Sequence, residues 1–227
     1  MKVQSKRFRE ASKNLEPNKT YSVEEAAKLV KKSATAKFDE TVNLAIKLTI
    51  DTKQSDQLVR GSLSLPHGIG KTVRVIAICD GAEAEQAKAN GAVAVGAADL
   101  VEKILGGFTD FDVVVAHPSM MKFVGKLGKV LGPKGLMPSP KSGTVTDKVA
   151  TAVTEFAAGK IEFRNDKEGN VHMVVGKASF DETKLAENIS AAIKHIESMR
   201  PASLKGDVYI TNITVSSTMG PGFKIAN

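Results

Sequence analysis

"TVNLAIKLTI", residues 41–50, alternates over its whole length: Val42, Leu44, Ile46, Leu48 and Ile50 fall on one side, Thr41, Asn43, Lys47 and Thr49 on the other. A period of two with one apolar side marks a β-strand that buries one face and leaves the other wet. Further along, "TVRVIAIC" (72–79) is apolar almost without interruption, as a strand covered on both faces must be. The two patterns divide the chain between them.

The continuous grammar fills the middle of the chain. After "TVRVIAIC" come a helical "EAEQAKANG", the short strand "AVAVG" and a helix in "AADLVEKILGG". "FDVVVAHP" (111–118) is another buried strand, followed by a helix over "SMMKFVGKLGKVLG" that Gly132 and Pro133 should end. "GTVT" then reads as a short strand before the helix "DKVATAVTEFAAG", with Asp147 as its expected N-cap. Buried strands separated by helices predict a parallel, doubly wound sheet with helices on both faces.

The alternating grammar occupies the flanks. "KIEFRNDKEGNVHMVVG" (160–176) reads as a hairpin with a glycine-containing turn. "SFDETKLAENISAAIKHIESM" opens with a capping-box pattern, Ser179 to Glu182, and places Leu185, Ile189, Ile193 and Ile196 on one helical face. "DVYITNITVSST" supplies a last strand with a phase slip near Asn212 that predicts a bulge. With the helix "SVEEAAKLVKK", the flanks hold about four strands and two or three helices, which suits an antiparallel sheet backed by helices. The simplest reconciliation is a discontinuous α+β domain, 1–67 plus 160–227, with an α/β domain, 68–159, inserted into it. The crossings, "LPHGIG" and "AAGK", are rich in breakers and small residues, and Pro66, Gly68, Gly70 and Gly159 are the expected hinge positions.

Composition bounds the function. The chain is 42% hydrophobic and 25% charged, enough for folded cores, and its net charge is +7. Of its 32 Lys+Arg and 25 Asp+Glu, 10 and 9 fall within 68–159, leaving 22 and 16 in the flanks. The basic excess therefore lies in the outer domain, where most anion binding is expected. The lone Cys79 permits no intrachain disulfide and no cysteine zinc cluster; a buried core thiol is expected. The basic N-terminus lacks the apolar stretch of a secretory signal, and no apolar run reaches membrane-span length, so a soluble, cytoplasmic protein is expected.

Apparent catalytic motifs fail on inspection. "GIGKT" (68–72) lacks the upstream glycine of a P-loop, since position 65 is Leu, and a strand follows it where a helix should. No dinucleotide-binding glycine fingerprint follows "TVRVIAIC". His67, His117, His172 and His195 lack metal-ligand spacing, and His117, ahead of Pro118, reads as a turn residue. No catalytic residues, metal or cofactor are therefore expected. A nucleotide-dependent enzyme and a nonspecific basic protein remain as rival readings.

Signals for a polyanion are more coherent. Lys122, Lys126 and Lys129 form a helical stripe, with Phe123, Leu127, Val130 and Leu131 expected to face the sheet. The stretch "LGPKGLMPSPKSGTV" (131–145) adds Lys134 and Lys141 on a backbone stiffened by prolines; linker, phosphate cradle and shaped surface are its possible roles. Lys37 and Phe38 stand at the entrance to strand 41–50, and "SSTMGPG" (216–222) ends the last strand with hydroxyls and small residues. Such ends let backbone approach RNA closely, although they are equally readable as plain turns. Aromatics make up only 5%, so a bound RNA should be read by shape and backbone with little base stacking.

"LGKVLGPKGLMPSPKSGTV" closely resembles the signature segment of the large-subunit ribosomal protein L-one family, in its bacterial form. "KFDETVNLAIKLTID", "VRGSLSLPHGIGKTVRV", "GKIEFRNDKEGNVH" and "STMGP" are similar to the same family, in order, over nearly the whole chain. The resemblance implies a discontinuous two-layer α+β domain carrying an inserted three-layer α/β domain on a hinge. It implies a ribonucleoprotein component that binds a three-way junction of ribosomal RNA, forms the mobile stalk beside the transfer-RNA exit site and assists release of deacylated tRNA. It also implies a repressor of its own operon mRNA, a monomer when free, with no membrane partner. Carried over by position, the main RNA contacts fall on Phe38, Thr41, Thr218, Met219 and Gly220, with Lys37 and Glu40 as neighbours. Arg164, Asp166, His172 and Lys177 around the hairpin follow, and the lysine-bearing stretch 122–141 becomes a shaped secondary RNA approach.

Overall fold

The alternation at 41–50 becomes a strand that stops at Leu48, with Val42, Leu44, Ile46 and Leu48 buried. The computed structural model describes residues 5–226 except 14, 17, 18, 205 and 207. In chain order the elements are α1 (Lys6–Ala11), β1 (Thr20–Tyr21), α2 (Val23–Ser33), β2 (Thr41–Leu48), β3 (Arg60–Leu63), β4 (Val75–Ile78), α3 (Gly81–Ala89), β5 (Ala94–Gly96) and α4 (Ala98–Leu105). They continue with β6 (Val113–Ala116), α5 (Met121–Val124), α6 (Gly128–Lys134), α7 (Val149–Ala157), β7 (Ile161–Arg164), β8 (Asn170–Lys177), α8 (Glu182–Ser198), β9 (Ile210–Ser217) and β10 (Gly222–Ile225). The chain divides into two units, Met1–Gly70 with Ile161–Asn227, and Lys71–Lys160.

The first unit is built on a five-stranded sheet in the order β1-β10-β9-β2-β8, antiparallel except for β1 against β10. One face packs on α2 through Ala26, Ala27 and Val30 and on α8 through Leu185, Ile189, Ala192 and Ile196. Each large aliphatic side chain buried there contributes about 1.5–3 kcal/mol. The other face is open. The register between β2 and β9 slips between Lys47 and Leu48, leaving Thr211 unmatched, the bulge expected beside Asn212. The hairpin expected at 160–176 is looser than its sequence implied. β7 pairs mainly with β3, and the single bridge Asn165–Val171 joins it to β8.

Two local expectations for α8 are corrected. Its N-cap is Asp181, not Ser179, because Ser179 is drawn away to Asp39: the Ser179 N–H and hydroxyl donate to that carboxylate at 3.1 and 2.8 Å. Ile193 is only partly buried, and Asn188 takes a place in the core at 0% exposure. Its side-chain amide donates to the carbonyls of Gly68 (3.0 Å) and Val175 (2.9 Å), and its oxygen accepts the His67 N–H (3.2 Å). A buried amide with three partners is a strong tether. Gly70 has φ +69°, and a Cβ there would lie 2.7 Å from the Phe180 ring. Pro66, Gly68 and Gly70 thus belong to a stretch fastened inside the first unit, whereas Gly159 (φ +104°) follows α7 in the second.

The second unit has the parallel sheet β5-β4-β6, extended by a bridge between Ala116 and Val145. Alternate residues of β4 serve opposite cores: Ile76 and Ile78 pack with Leu100, Ile104, Leu127 and Leu131, while Val75 and Ala77 pack with Ala87, Val149, Val153 and Phe156. That explains the continuous apolar run, since both faces of the strand are covered. Cys79 is buried, and burial pushes its thiol up to about 11. The expected N-cap Asp147 is replaced by Lys148, whose N–H is taken by the Thr146 hydroxyl at 3.2 Å.

The helix expected over 119–131 is broken into α5 and α6, with 3₁₀ turns at Pro118–Met120 and Gly125–Leu127. Val124, Leu127 and Leu131 are buried. Phe123, expected to face the sheet, is outside, beneath the Lys126 ammonium 5.9 Å from its ring centre, and Val130 is only partly buried. Gly132 and Pro133 do not end the segment. Pro133 is accepted in the last turn, and Gly135, at φ +71°, closes it. Beyond it, Thr144 is 1% exposed; its hydroxyl accepts the Ser139 N–H at 2.9 Å and lies 3.2 Å from the Ser139 carbonyl. The proline-rich stretch is therefore knit to itself. Among the described residues no helix is long and apolar enough to cross a membrane.

Candidate nucleic-acid interface

Three segments of the first unit meet at one end of the open sheet: the loop 34–40 entering β2, the end of β8 and the turn 217–220 after β9. Glu40 is the knot between them. It is only 2% exposed, and its carboxylate accepts the N–H groups of Ala36 and Met219, each at 2.9 Å. Burial alone raises a carboxyl pKa. Here the two backbone donors, the Ser217 hydroxyl and the charge of Arg7 outweigh it and hold Glu40 below the usual glutamate value.

The hydroxyls at this end face one another. Thr218 Oγ1 accepts the Thr41 N–H at 3.0 Å and donates to the Thr41 carbonyl at 3.1 Å. Lys177 Nζ donates to Thr41 Oγ1 at 2.7 Å. Gly220 is required by close approach, because a Cβ there would sit 2.4 Å from Ser217 Oγ and 3.1 Å from Ser33 Oγ. With these groups spoken for, what faces solvent is Phe38 (54% exposed), Met219 (47%) and the exposed Lys37. Two large apolar side chains on a fixed frame, beside cations, can pack on sugars and bases while the cations meet phosphates.

The structure sorts the sequence-derived residues accordingly. Lys37, Phe38, Thr41, Lys177, Thr218, Met219 and Gly220 share this end. Glu40 shares it from inside the protein, as a positioning group. Arg164, Asp166 and His172 lie elsewhere on the open face; His172 is five residues along β8 from Lys177, about 16 Å at the usual strand rise. Asp166 closes the β7–β8 turn, accepting from the Glu168 N–H, the Asn170 N–H and the Asn170 side chain, each at 2.8 Å. The Asn170 side chain, then its backbone N–H, hold the Asp166 carboxyl down at about 2. His172 Nε2 is 3.8 Å from that carboxylate.

In the second unit Lys122, Lys126, Lys129, Lys134 and Lys141 are all exposed, and none is in an ion pair among the described residues. His117, at the end of β6, caps a 3₁₀ turn, its Nδ1 lying 2.6 Å from Ser119 Oγ. Sequence reasoning missed the polar open face beyond β2, above all Thr214 and Lys224. Alternation marks a strand's wet side, but the register that aligns wet sides is not local information.

A family model described as the ribosomal protein L1p/L10e family matches residues 30–221. The chain is 54% identical over 226 residues to large ribosomal subunit protein uL1 of Fervidobacterium nodosum, covering 99% of this chain and 96% of the relative. It is 54% identical to the protein of that name from Thermosipho africanus (99% and 97% covered) and 52% identical to that from Mycolicibacterium smegmatis (99% and 95%).

Proposed function

The chain belongs to the ribosomal protein L1p/L10e family, and from that premise we propose that it is an RNA-binding protein of the large ribosomal subunit, working on the ribosome in the cytoplasm. The observation that carries the RNA reading is the frame around Glu40. A buried carboxylate fixes the loop bearing Phe38 and the turn bearing Met219, leaving both side chains outward beside Lys37 and Lys177. Such a frame is ordered before RNA arrives, so little of the binding energy goes into organising it. The finer roles rest on the resemblance in sequence: the first unit grips a junction of ribosomal RNA, the second swings with the stalk and helps deacylated tRNA leave, and the same grip on a leader mRNA represses translation. The five lysines of the second unit are its secondary contact with RNA.

Filter-binding titrations of a ribosomal junction RNA test the grip. Met219→Ala and Phe38→Ala should each weaken binding by about 1–3 kcal/mol while leaving the thermal midpoint in place. Thr218→Val should weaken binding and also lower stability, since its hydroxyl serves both backbone groups of Thr41. Affinity should fall steeply with salt, as phosphate contacts release counterions. Wild-type affinity in Met219→Ala and Phe38→Ala would remove the assignment. A reporter behind the leader mRNA should be repressed by the wild type and released by Met219→Ala.

A further inference from the structure

The ribbon β3–β7 carries a pairing that folding by itself does not favour. Arg60 and Arg164 are direct cross-strand partners. Directly opposed residues of an antiparallel pair point to the same face, and like charges so placed repel. Neither guanidinium takes part in a side-chain hydrogen bond or ion pair among the described residues. Arg164 is exposed and Arg60 half-buried. Glu162, the acid on the same face, stands one step along the ladder, opposite Ser62.

The sheet register shows where this pair sits. Phe163, between the ladder's polar residues, is buried in the core beneath α8, so Arg60 and Arg164 are on the opposite side, which is the open face. The bridge Asn165–Val171 brings Arg164 abreast of His172. From His172 the register runs straight across the sheet to Ala45, Thr214, Lys224 and Thr20. A single row therefore has cationic arginines at one side, Lys224 towards the other, and His172, Ala45 and Thr214 between. Strands are about 4.8 Å apart, so Arg60 lies roughly 10 Å beyond His172 and Lys224 roughly 14 Å before it.

We propose that Arg60 and Arg164 together hold one phosphate of the RNA backbone, extending the contact surface from the Glu40 end across the open sheet. Two guanidinium forks converging on one face match a phosphate's oxygens, and the anion relieves their mutual repulsion. The inference rests on the RNA reading above and adds Arg60, which that reading lacks.

The test is titration of the junction RNA at several salt concentrations with Arg60→Gln, Arg164→Gln, the double variant and Arg60→Lys, beside Met219→Ala. Arg60→Gln should weaken binding about ten-fold and flatten the log–log salt slope by about one, with a thermal midpoint unchanged or raised because repulsion is relieved. Arg60→Lys should recover part of the loss, since it keeps the charge and loses the fork. The second arginine removed should cost less than the first, because both serve one phosphate. Wild-type affinity and slope in Arg60→Gln, with Met219→Ala still impaired, overturns the phosphate site and leaves the RNA reading standing; additive losses overturn the sharing. If Met219→Ala is also unimpaired, the RNA reading itself fails.

Discussion

The Glu40 end of the first unit and the lysine stripe of the second are both candidate RNA surfaces, and they are built on opposite plans. At the first, nearly every polar group is already bound to protein: Glu40 to two backbone N–H groups, Thr218 to Thr41, Lys177 to Thr41, Asp39 to Ser179. The groups left facing solvent, and proposed to meet RNA, are two apolar side chains on that frame. At the second, five lysines stand out from a segment broken by glycines, with no carboxylate in an ion pair with any of them among the described residues. The first surface is shaped by internal bonds, whereas the second offers charge on long flexible stems. Shape discriminates among RNAs, while charge draws any of them in.

The largest expected effect comes from removing the frame. Glu40→Ala leaves two partly buried N–H groups without an acceptor, at up to about 1–3 kcal/mol of stability each, and should cost more RNA affinity than either apolar truncation. Glu40→Gln, which can still accept at one oxygen, should fall between. Chemical denaturation with parallel RNA titration measures both; a Glu40→Gln protein as stable and as tight as wild type would erase the contrast between the two surfaces.

Acid should weaken the same frame by a smaller amount. The folded value of Glu40 is depressed, so its contribution is whole above the ordinary glutamate value and fades as pH falls through the folded value. In the second unit, Asp112 is held down at about 2 by the Lys71 ammonium and by Arg74, so it keeps its charge to lower pH and gives up its contribution between about 3.8 and 2. Unfolding followed by pH should show these losses on the acid side; Glu40→Gln should blunt the first and Asp112→Asn the second.

The smallest effects belong to the stripe. Lys122→Gln, Lys126→Gln and Lys129→Gln should each change stability by less than about 0.5 kcal/mol. They should weaken RNA binding alike for all sequences, with a slightly flatter salt slope. A sequence-selective loss from any one of them would place shape recognition in the second unit too.

Much of this was legible in the chain. The alternation of 41–50 and the continuous run of 72–79 carried the two sheet types, because side-chain period reports how many faces of a strand are covered. The bulge by Asn212 was readable as a phase slip. What was not readable depended on partners distant in sequence. Ser179 has the pattern of a cap and instead binds Asp39; Phe123 has helical spacing for the core, and breaks at Gly125 and Gly128 turn it outward. Resemblance marked Glu40 and Thr218 as part of the site, but their inward bonds follow from where β2 and β9 end beside each other. The facing of Arg60 with Arg164 is likewise a fact of register, invisible in either segment alone.

The most direct measurement is the ratio of affinities for the ribosomal junction and for an unrelated RNA duplex at fixed salt, in wild type and in the Phe38→Ala/Met219→Ala double variant. The double variant should keep its thermal midpoint and its affinity for the duplex while its preference for the junction collapses towards one. A double variant that keeps the wild-type preference would contradict it.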